Sequence, residues 1–185
     1  MTTDPYNRSP FIIFLDIDGV LCTYRAHLAA GNPKGVMDEW DKVGVDFLRG
    51  LLEVYEGDVK LVISSSWRNF CTNPSDLSDI LGVRLRDSGL VYYVLMPDWK
   101  TKSINNAGRG KEIEEWLSRH PEVGSNNYLI LDDDDFDLLP EQKHRTVTTD
   151  TDNGISAQNM VEVKRIIKEW EISCVAKSEN IKKNT

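Results

Sequence analysis

The ten residues Phe11–Val20, with the sequence FIIFLDIDGV, decide the fold of this chain. An unbroken apolar run is followed by two carboxylates, Asp16 and Asp18, and then by Gly19. Such a run is typical of a buried strand of a parallel sheet, because both faces of that strand are covered. Two acids at the end of a buried strand are costly unless a cation or a reaction requires them. We therefore predict a functional site where this strand ends.

The composition is that of one globular domain, since 40% of the 185 residues are hydrophobic and 28% are charged. We predict a single domain over residues 1–176 and a polar tail over residues 177–185 that we expect to be disordered. No apolar stretch is long enough to cross a bilayer, and the first residues lack the pattern of a signal peptide. We therefore expect no membrane association.

The net charge is −8, which argues against non-specific nucleic-acid binding unless the rim of a site is locally basic. The three cysteines, Cys22, Cys71 and Cys174, have neither a metal-like spacing nor that of a disulfide framework. They are typical of reduced thiols, so we expect a cytoplasmic protein. The oligomeric state is left open.

Apolar runs alternate with segments of helical periodicity along the chain. Strands are predicted at residues 10–15, 59–63, 91–95, 128–131 and 145–149. Helices are predicted from Asp38 to before Gly57 (with Trp40, Val43, Phe47, Leu51 and Val54 inward), at 76–81, at 111–120, and around Met160–Trp170. Residues 21–37 and 97–110 are predicted as loops. This order predicts a three-layer α/β/α sandwich with a mostly parallel, Rossmann-type sheet.

Polar residues follow three of the buried runs, where parallel sheets bind their ligands. They are Asp16 with Asp18, the serines Ser64, Ser65 and Ser66, and Asp132 with Asp133. Two like charges about 4 Å apart repel by roughly 4 kcal/mol at an effective dielectric constant of 20. A cation is therefore needed among the four carboxylates. Oxygen ligands without histidine favour a hard ion, and Mg²⁺ is the expected cofactor.

This arrangement resembles the haloacid dehalogenase-like phosphohydrolase superfamily over nearly the whole chain, from about Phe11 to Ile172. The matching positions are Asp16 to Val20 for its first motif, Ser65 for its second, Lys111 for its third, and Asp132 with Asp133 for its fourth. The resemblance implies that Asp16 is the nucleophile and Asp18 the general acid and base. It implies a Mg²⁺ site formed by Asp16, Asp18, Asp132 and Asp133, with Asp18 also contributing its backbone carbonyl.

The resemblance also implies how the phosphoryl group is held. Gly19 permits the turn after the strand, and Ser65 binds the phosphoryl oxygens, with Ser64 as the alternative and Ser66 and Arg68 nearby. Lys111 neutralises charge in the transition state, although Arg109 could replace or assist it. Trp67 lies near the expected mouth of the site, where partial burial is a more ordinary role than stacking on a base.

A narrower resemblance concerns residues 64–68 (SSSWR), 109–113 (RGKEI) and 130–134 (ILDDD). These segments are similar to the small phosphatase domains associated with RNA repair proteins and to polynucleotide phosphatases. The segments where this superfamily inserts cap domains are short here, so we expect an open, uncapped site. The predicted function is a Mg²⁺-dependent phosphomonoesterase acting on nucleotides or polynucleotide ends. The alternatives are a phosphatase for phosphoproteins or small metabolites and a non-catalytic binding module.

Overall fold

A computed structural model of the protein describes residues 9–31, 39–55, 57–73 and 95–183. Five strands in these ranges form one parallel sheet in the order β3-β2-β1-β4-β5. They are β1 (Phe11–Leu15), β2 (Val59–Ile63), β3 (Leu95–Lys100), β4 (Tyr128–Asp132) and β5 (Thr146–Thr148). The helices are α1 (Tyr24–Ala29), α2 (Lys42–Val54), α3 (Arg109–Arg119) and α4 (Ala157–Lys183). The predicted fold class is confirmed.

The central strand β1 separates two hydrophobic cores, because successive side chains of a strand point to opposite faces. Phe11, Ile13 and Leu15 belong to a core that includes buried residues of α2 and α4. Ile12 and Phe14 belong to a second core with Ile113 and Trp116 of α3 as members. Every residue of β1 is buried, which explains why its sequence is continuously apolar.

Two predictions about the segment after β1 are corrected by the structure. Residues 24–29, predicted as loop, form the short helix α1, and Thr23 caps it by accepting a hydrogen bond from the backbone N–H of Ala26. The apolar face predicted for α2 is also displaced, because Val43 and Val54 are 46% and 76% exposed. The buried face instead carries Gly44, Val45, Leu48, Leu51 and Leu52.

The third strand lies later in the sequence than predicted. β3 includes residues 97–100, which were predicted as loop, whereas residues 91–94 and the predicted helix at 76–81 lie outside the described residues. Pro97 lies in this strand. Among the described strands β3 pairs with β2 alone, and its register is irregular, a position where proline is tolerated. The final helix continues to Lys183, past residue 177 where a tail was predicted to begin. The single-domain boundary stays a prediction, as does the open site.

The strand order reverses between β1 and β4, which are neighbours at the centre of the sheet. At such a switch point the loops leave in opposite directions and open a crevice at the carboxyl ends of the strands. Asp16 follows β1 directly, Asp132 ends β4, and Ser64 follows β2. The topology therefore brings all three to one edge of the sheet.

Candidate active site

Three carboxylates converge at the switch point. One oxygen each from Asp16, Asp132 and Asp133 can be chosen so that all lie within 4.8 Å of one another. Asp16 and Asp132 are buried, and Asp133 is partly buried. Carboxylate oxygens at this separation suit a hard divalent cation, which offsets their mutual repulsion and needs only a few protein ligands beside water and phosphate. Of the four predicted metal ligands, the structure groups these three.

Gly19 makes this grouping possible. Its backbone has a φ of +67°, in the left-handed region that favours glycine. A Cβ atom at this position would lie 2.3 Å from Oδ2 and 2.6 Å from Cβ of Asp133. The glycine therefore gives Asp133 the space to stand beside Asp16, a more specific role than the turn predicted for it.

Arg109 is the cation that the structure places among these acids. Its Nη1 atom donates to Oδ2 of Asp132 at 2.9 Å and lies 3.2 Å from Oδ1 of Asp16. Burial tends to lower the pKa of the guanidinium, but Asp16 and Asp132 outweigh it and raise the pKa above the ordinary value. Lys111, the cation first predicted from the sequence, is exposed and pairs with Glu114 at 2.8 Å. Lys111 is therefore not brought to the site.

Asp18 lies beside the cluster of Asp16, Asp132 and Asp133, but its side chain has a different hydrogen-bond partner. Its Oδ2 atom accepts a hydrogen bond of 2.9 Å from Nε1 of Trp67. Burial raises the pKa of the Asp18 carboxyl, repulsion from Asp16 and Asp133 adds to this, and the Trp67 hydrogen bond acts in the opposite direction. A carboxyl with a raised pKa at the edge of a metal site is suited to proton transfer.

The three serines have three different environments. Ser64 is fully buried, and its hydroxyl has no hydrogen-bond partner among the described residues. Ser65 is also fully buried, and its Oγ accepts from the backbone N–H of Trp67 at 3.3 Å, capping a short 3₁₀ helix at Ser66–Phe70. Ser66 is exposed. Ser64 and Ser65 therefore remain the candidates for binding a phosphoryl oxygen. The hydroxyl hydrogen of Ser64 has no acceptor among the described residues, so it is available for this role.

Arg68, predicted to bind substrate, is buried and used inside the protein. Its Nη1 atom donates to the backbone carbonyls of Ser64 and Ser65 at 2.9 and 2.7 Å, and its Nη2 atom pairs with Glu112 of α3. Glu112 also accepts from the backbone N–H of Ile104 at 3.1 Å. This position has a simple cause, since an arginine three residues after Ser65 can turn inward as well as outward. Arg68 fixes the serine loop to the helix that carries Arg109.

Asp132 is the acid most affected by its surroundings. Burial, with a contribution from Asp16, raises its pKa to about 7, although Arg109 acts against the shift. Its Oδ1 atom accepts from the backbone N–H of Asp134 at 3.1 Å. This carboxylate is therefore held in place but poorly compensated in the absence of a metal, which is the state expected of a metal ligand.

Several supporting residues were not predicted from the sequence. Thr149 donates to the carbonyl of Gly19 at 2.9 Å, and Thr151 donates to Oδ2 of Asp133 at 2.7 Å. Asp137 accepts from the backbone N–H of Arg109 at 2.8 Å. The two threonines follow β5, so the end of that strand was a signal for them. No local pattern indicated Asp137, which follows the acidic run by two residues.

Comparison with known proteins agrees with this geometry. Residues 12–160 match the family described as "HAD domain in Swiss Army Knife RNA repair proteins". The chain belongs to this family. The matched segment includes β1 apart from its first residue, all of β2 to β5 and every acid of the site. The superfamily resemblance and the narrower one to RNA repair proteins are therefore both confirmed. Searches of curated proteins and of solved structures found no match.

Membership of the HAD family supports a hydrolase of the phosphatase type, and the acidic cluster supports a site for a divalent metal. Among the helices in the described ranges, none combines the length and the apolar character needed to cross a bilayer.

Proposed function

We propose that this HAD domain is a Mg²⁺-dependent phosphomonoesterase that forms an aspartyl-phosphate on Asp16 and acts on nucleotide or polynucleotide ends. The observation that carries the proposal is the group formed by Asp16, Asp132 and Asp133 with Arg109 between two of them. A nucleophile, metal ligands and a cation for the phosphoryl charge are the parts that phosphoryl transfer requires.

Asp16, Asp132 and Asp133 would hold the metal, with Asp18 contributing through its backbone carbonyl as the family resemblance implies. When bound, a divalent ion would neutralise phosphoryl charge and orient the phosphate for in-line attack. The other groups needed for the reaction are side chains of the protein. Arg109 would offset the negative charge of Asp16 and of the phosphoryl group, and the hydroxyl of Ser65, or alternatively that of Ser64, would bind the phosphoryl oxygens.

The reaction proceeds in two displacements. In the first, a carboxylate oxygen of Asp16 bonds to phosphorus, the bond from phosphorus to the ester oxygen breaks, and Asp18 gives its proton to that oxygen. In the second, the oxygen of a water molecule bonds to phosphorus while Asp18 takes the proton of that water. The bond between phosphorus and Asp16 breaks, and inorganic phosphate leaves. Asp18 is then protonated again, as at the start.

RNA ends are the first substrates to test, because the matched family is described from RNA repair proteins. The enzyme should be assayed with and without Mg²⁺ on RNA and DNA oligonucleotides phosphorylated at the 5′ or the 3′ end. A nucleotide, a phosphoserine peptide and a sugar phosphate complete the panel. Preference for an oligonucleotide end supports the proposed substrate class, whereas preference for the peptide or the sugar phosphate favours one of the alternatives.

Asp16→Asn removes the nucleophile and should abolish phosphate release. Asp135→Asn is the matched control, since this acid lies near the cluster in sequence but its carboxylate faces Lys143 at 3.6 Å. The covalent step is tested by rapid acid quenching with a ³²P-labelled substrate, which should leave hydroxylamine-sensitive label on the wild type and on Asp135→Asn. Equal activity of Asp16→Asn and the wild type would contradict the mechanism. Inactivity of the wild type on the whole panel would favour the binding module.

A further inference from the structure

Trp67 contacts a group of the proposed mechanism directly. Its indole Nε1 donates the 2.9 Å hydrogen bond to Oδ2 of Asp18, across 49 positions of sequence. The ring is partly buried and packs against the larger hydrophobic core. Its polar edge therefore faces Asp18, and the ring is also in contact with the core. This is a different role from stacking on a base.

The backbone that carries the indole is held by two hydrogen bonds. The backbone N–H of Trp67 donates to Oγ of Ser65 at 3.3 Å, and its carbonyl accepts from Sγ of Cys71 at 3.5 Å. Both contacts lie within or beside the 3₁₀ helix that follows β2. A donor fixed in this way can impose one orientation on a flexible acceptor.

Asp18 needs such a constraint. Asp16 and Asp133 repel its carboxylate, and Arg109 attracts it from the side of the acids. Within the described residues, the indole supplies the one direct hydrogen bond that this side chain accepts. Because Oδ2 is engaged by Trp67, Oδ1 is the oxygen that remains available to carry a proton.

We propose that Trp67 is a positioning residue, which holds Asp18 by Oδ2 so that Oδ1 exchanges the proton with the leaving oxygen and then with water. This inference rests on the proposed function, in which Asp18 is the general acid. It makes a distinctive prediction. An alkoxide leaving group needs the proton as its bond to phosphorus breaks, whereas 4-nitrophenolate leaves without one.

The test compares Trp67→Phe with the wild type on 4-nitrophenyl phosphate and on an RNA oligonucleotide end, whose leaving group is an alcohol. General acid catalysis contributes about 10²–10⁴-fold, so loss of its alignment should lower kcat/KM, which reports the steps up to departure of the leaving group, by roughly tenfold or more on the RNA end. The kcat/KM on 4-nitrophenyl phosphate should change by less than about threefold. Benzothienylalanine at position 67 removes the N–H but keeps the shape of the ring. This variant should show the same dependence on the leaving group, and it replaces Trp67→Phe in the test if that variant folds poorly.

Trp170→Phe is the matched control. Trp170 is buried against Phe11 at a ring-centroid distance of 5.4 Å, and its indole N–H has no partner among the described residues. It should show no dependence on the leaving group. The double variant Asp18→Asn with Trp67→Phe should be no slower than Asp18→Asn alone. Asp18→Asn already removes the proton transfer that Trp67 supports, so the second change has nothing further to remove. Equal loss on the two substrates, no loss on either, or additive loss in the double variant would overturn the inference.

A measurement that does not depend on activity separates this inference from the proposed function. In Mg²⁺-loaded protein, the ¹⁵N–¹H resonance of the Trp67 indole should move upfield in Asp18→Ala, which removes the acceptor, and the Trp170 resonance should stay in place. An unchanged Trp67 resonance would refute the hydrogen bond. If the bond is found but the wild type is inactive on both substrates, the proposed function fails and the role in proton transfer fails with it.

Discussion

Replacing Gly19 with alanine should weaken the proposed metal site by displacing Asp133, and a control variant can separate this displacement from backbone strain. The new Cβ would lie 2.6 Å from Cβ of Asp133. Rotation of the Asp133 side chain moves its carboxylate but leaves its Cβ in place, so the two backbones must separate. Reaching the 3.4 Å of ordinary van der Waals contact requires about 0.8 Å of movement. That movement carries Asp133 away from Asp16 and Asp132.

The loss of folding stability expected for Gly19→Ala has two parts. A residue with a Cβ in the left-handed region costs about 1–2 kcal/mol, and forcing an extra methyl group into a packed site costs about 1–3 kcal/mol. Gly57 provides the control for the first part, because its φ is +83° and no atom of the described residues lies within 4 Å of its Cβ position. Gly57→Ala should therefore lower the free energy of unfolding by roughly 1–2 kcal/mol, and Gly19→Ala by roughly 2–5 kcal/mol.

The decisive measurement is the effect of Mg²⁺ on the urea-unfolding midpoint, since a ligand that binds only the folded state stabilises it. Gly57→Ala should be stabilised by Mg²⁺ as much as the wild type is. Gly19→Ala should need a Mg²⁺ concentration at least about tenfold higher, in the range seen when the support of a metal ligand is lost. Identical Mg²⁺ responses in the two variants would show that Asp133 is not a ligand or that the turn relaxes without moving it.

Three further predictions concern the charges around the site. Arg109→Gln should lower kcat roughly 100-fold, as loss of a transition-state donor does. Lys111→Gln should keep a kcat within about twofold of the wild type. A larger loss in Lys111→Gln than in Arg109→Gln would show that Lys111 is the site cation. The pKa of Asp132, about 7 in the fold, lies above its unfolded value, so the folded state binds more protons and metal-free stability should fall as pH rises from about 4 to 7. Urea unfolding in EDTA should show this slope in the wild type and lose it in Asp132→Asn; an unchanged slope would refute the shift. Arg68→Gln should cost about 3–5 kcal/mol by leaving Glu112 unpaired, and a loss below about 1 kcal/mol would contradict their buried pairing.

The sheet was predictable because its evidence is redundant. β1 is a continuous apolar run, and burial on both faces leaves few alternatives for such a run. The placement of Asp16, Ser64 and Asp132 at one edge followed from parallel topology alone. Elements with weaker constraints were missed: α1 has only six residues, and β3 contains Pro97, which is unfavourable in most strands.

The sequence left both Arg109 and Lys111 as candidates for the site cation, and the start of α3 decides which of them lies near the acids. Gly108 is the N-cap, so Arg109 is the first residue of α3. Its backbone N–H is bonded to Asp137, and its side chain reaches back over the sheet edge to Asp132. Lys111 follows two residues later and is rotated by about 200° around the helix axis, so it faces away toward Glu114. A two-residue difference in the predicted start of a helix thus exchanges the residue that faces the acids for one that faces solvent. The sequence predicted a helix from Lys111, so it could not show that Arg109 begins the helix on the side of the acids.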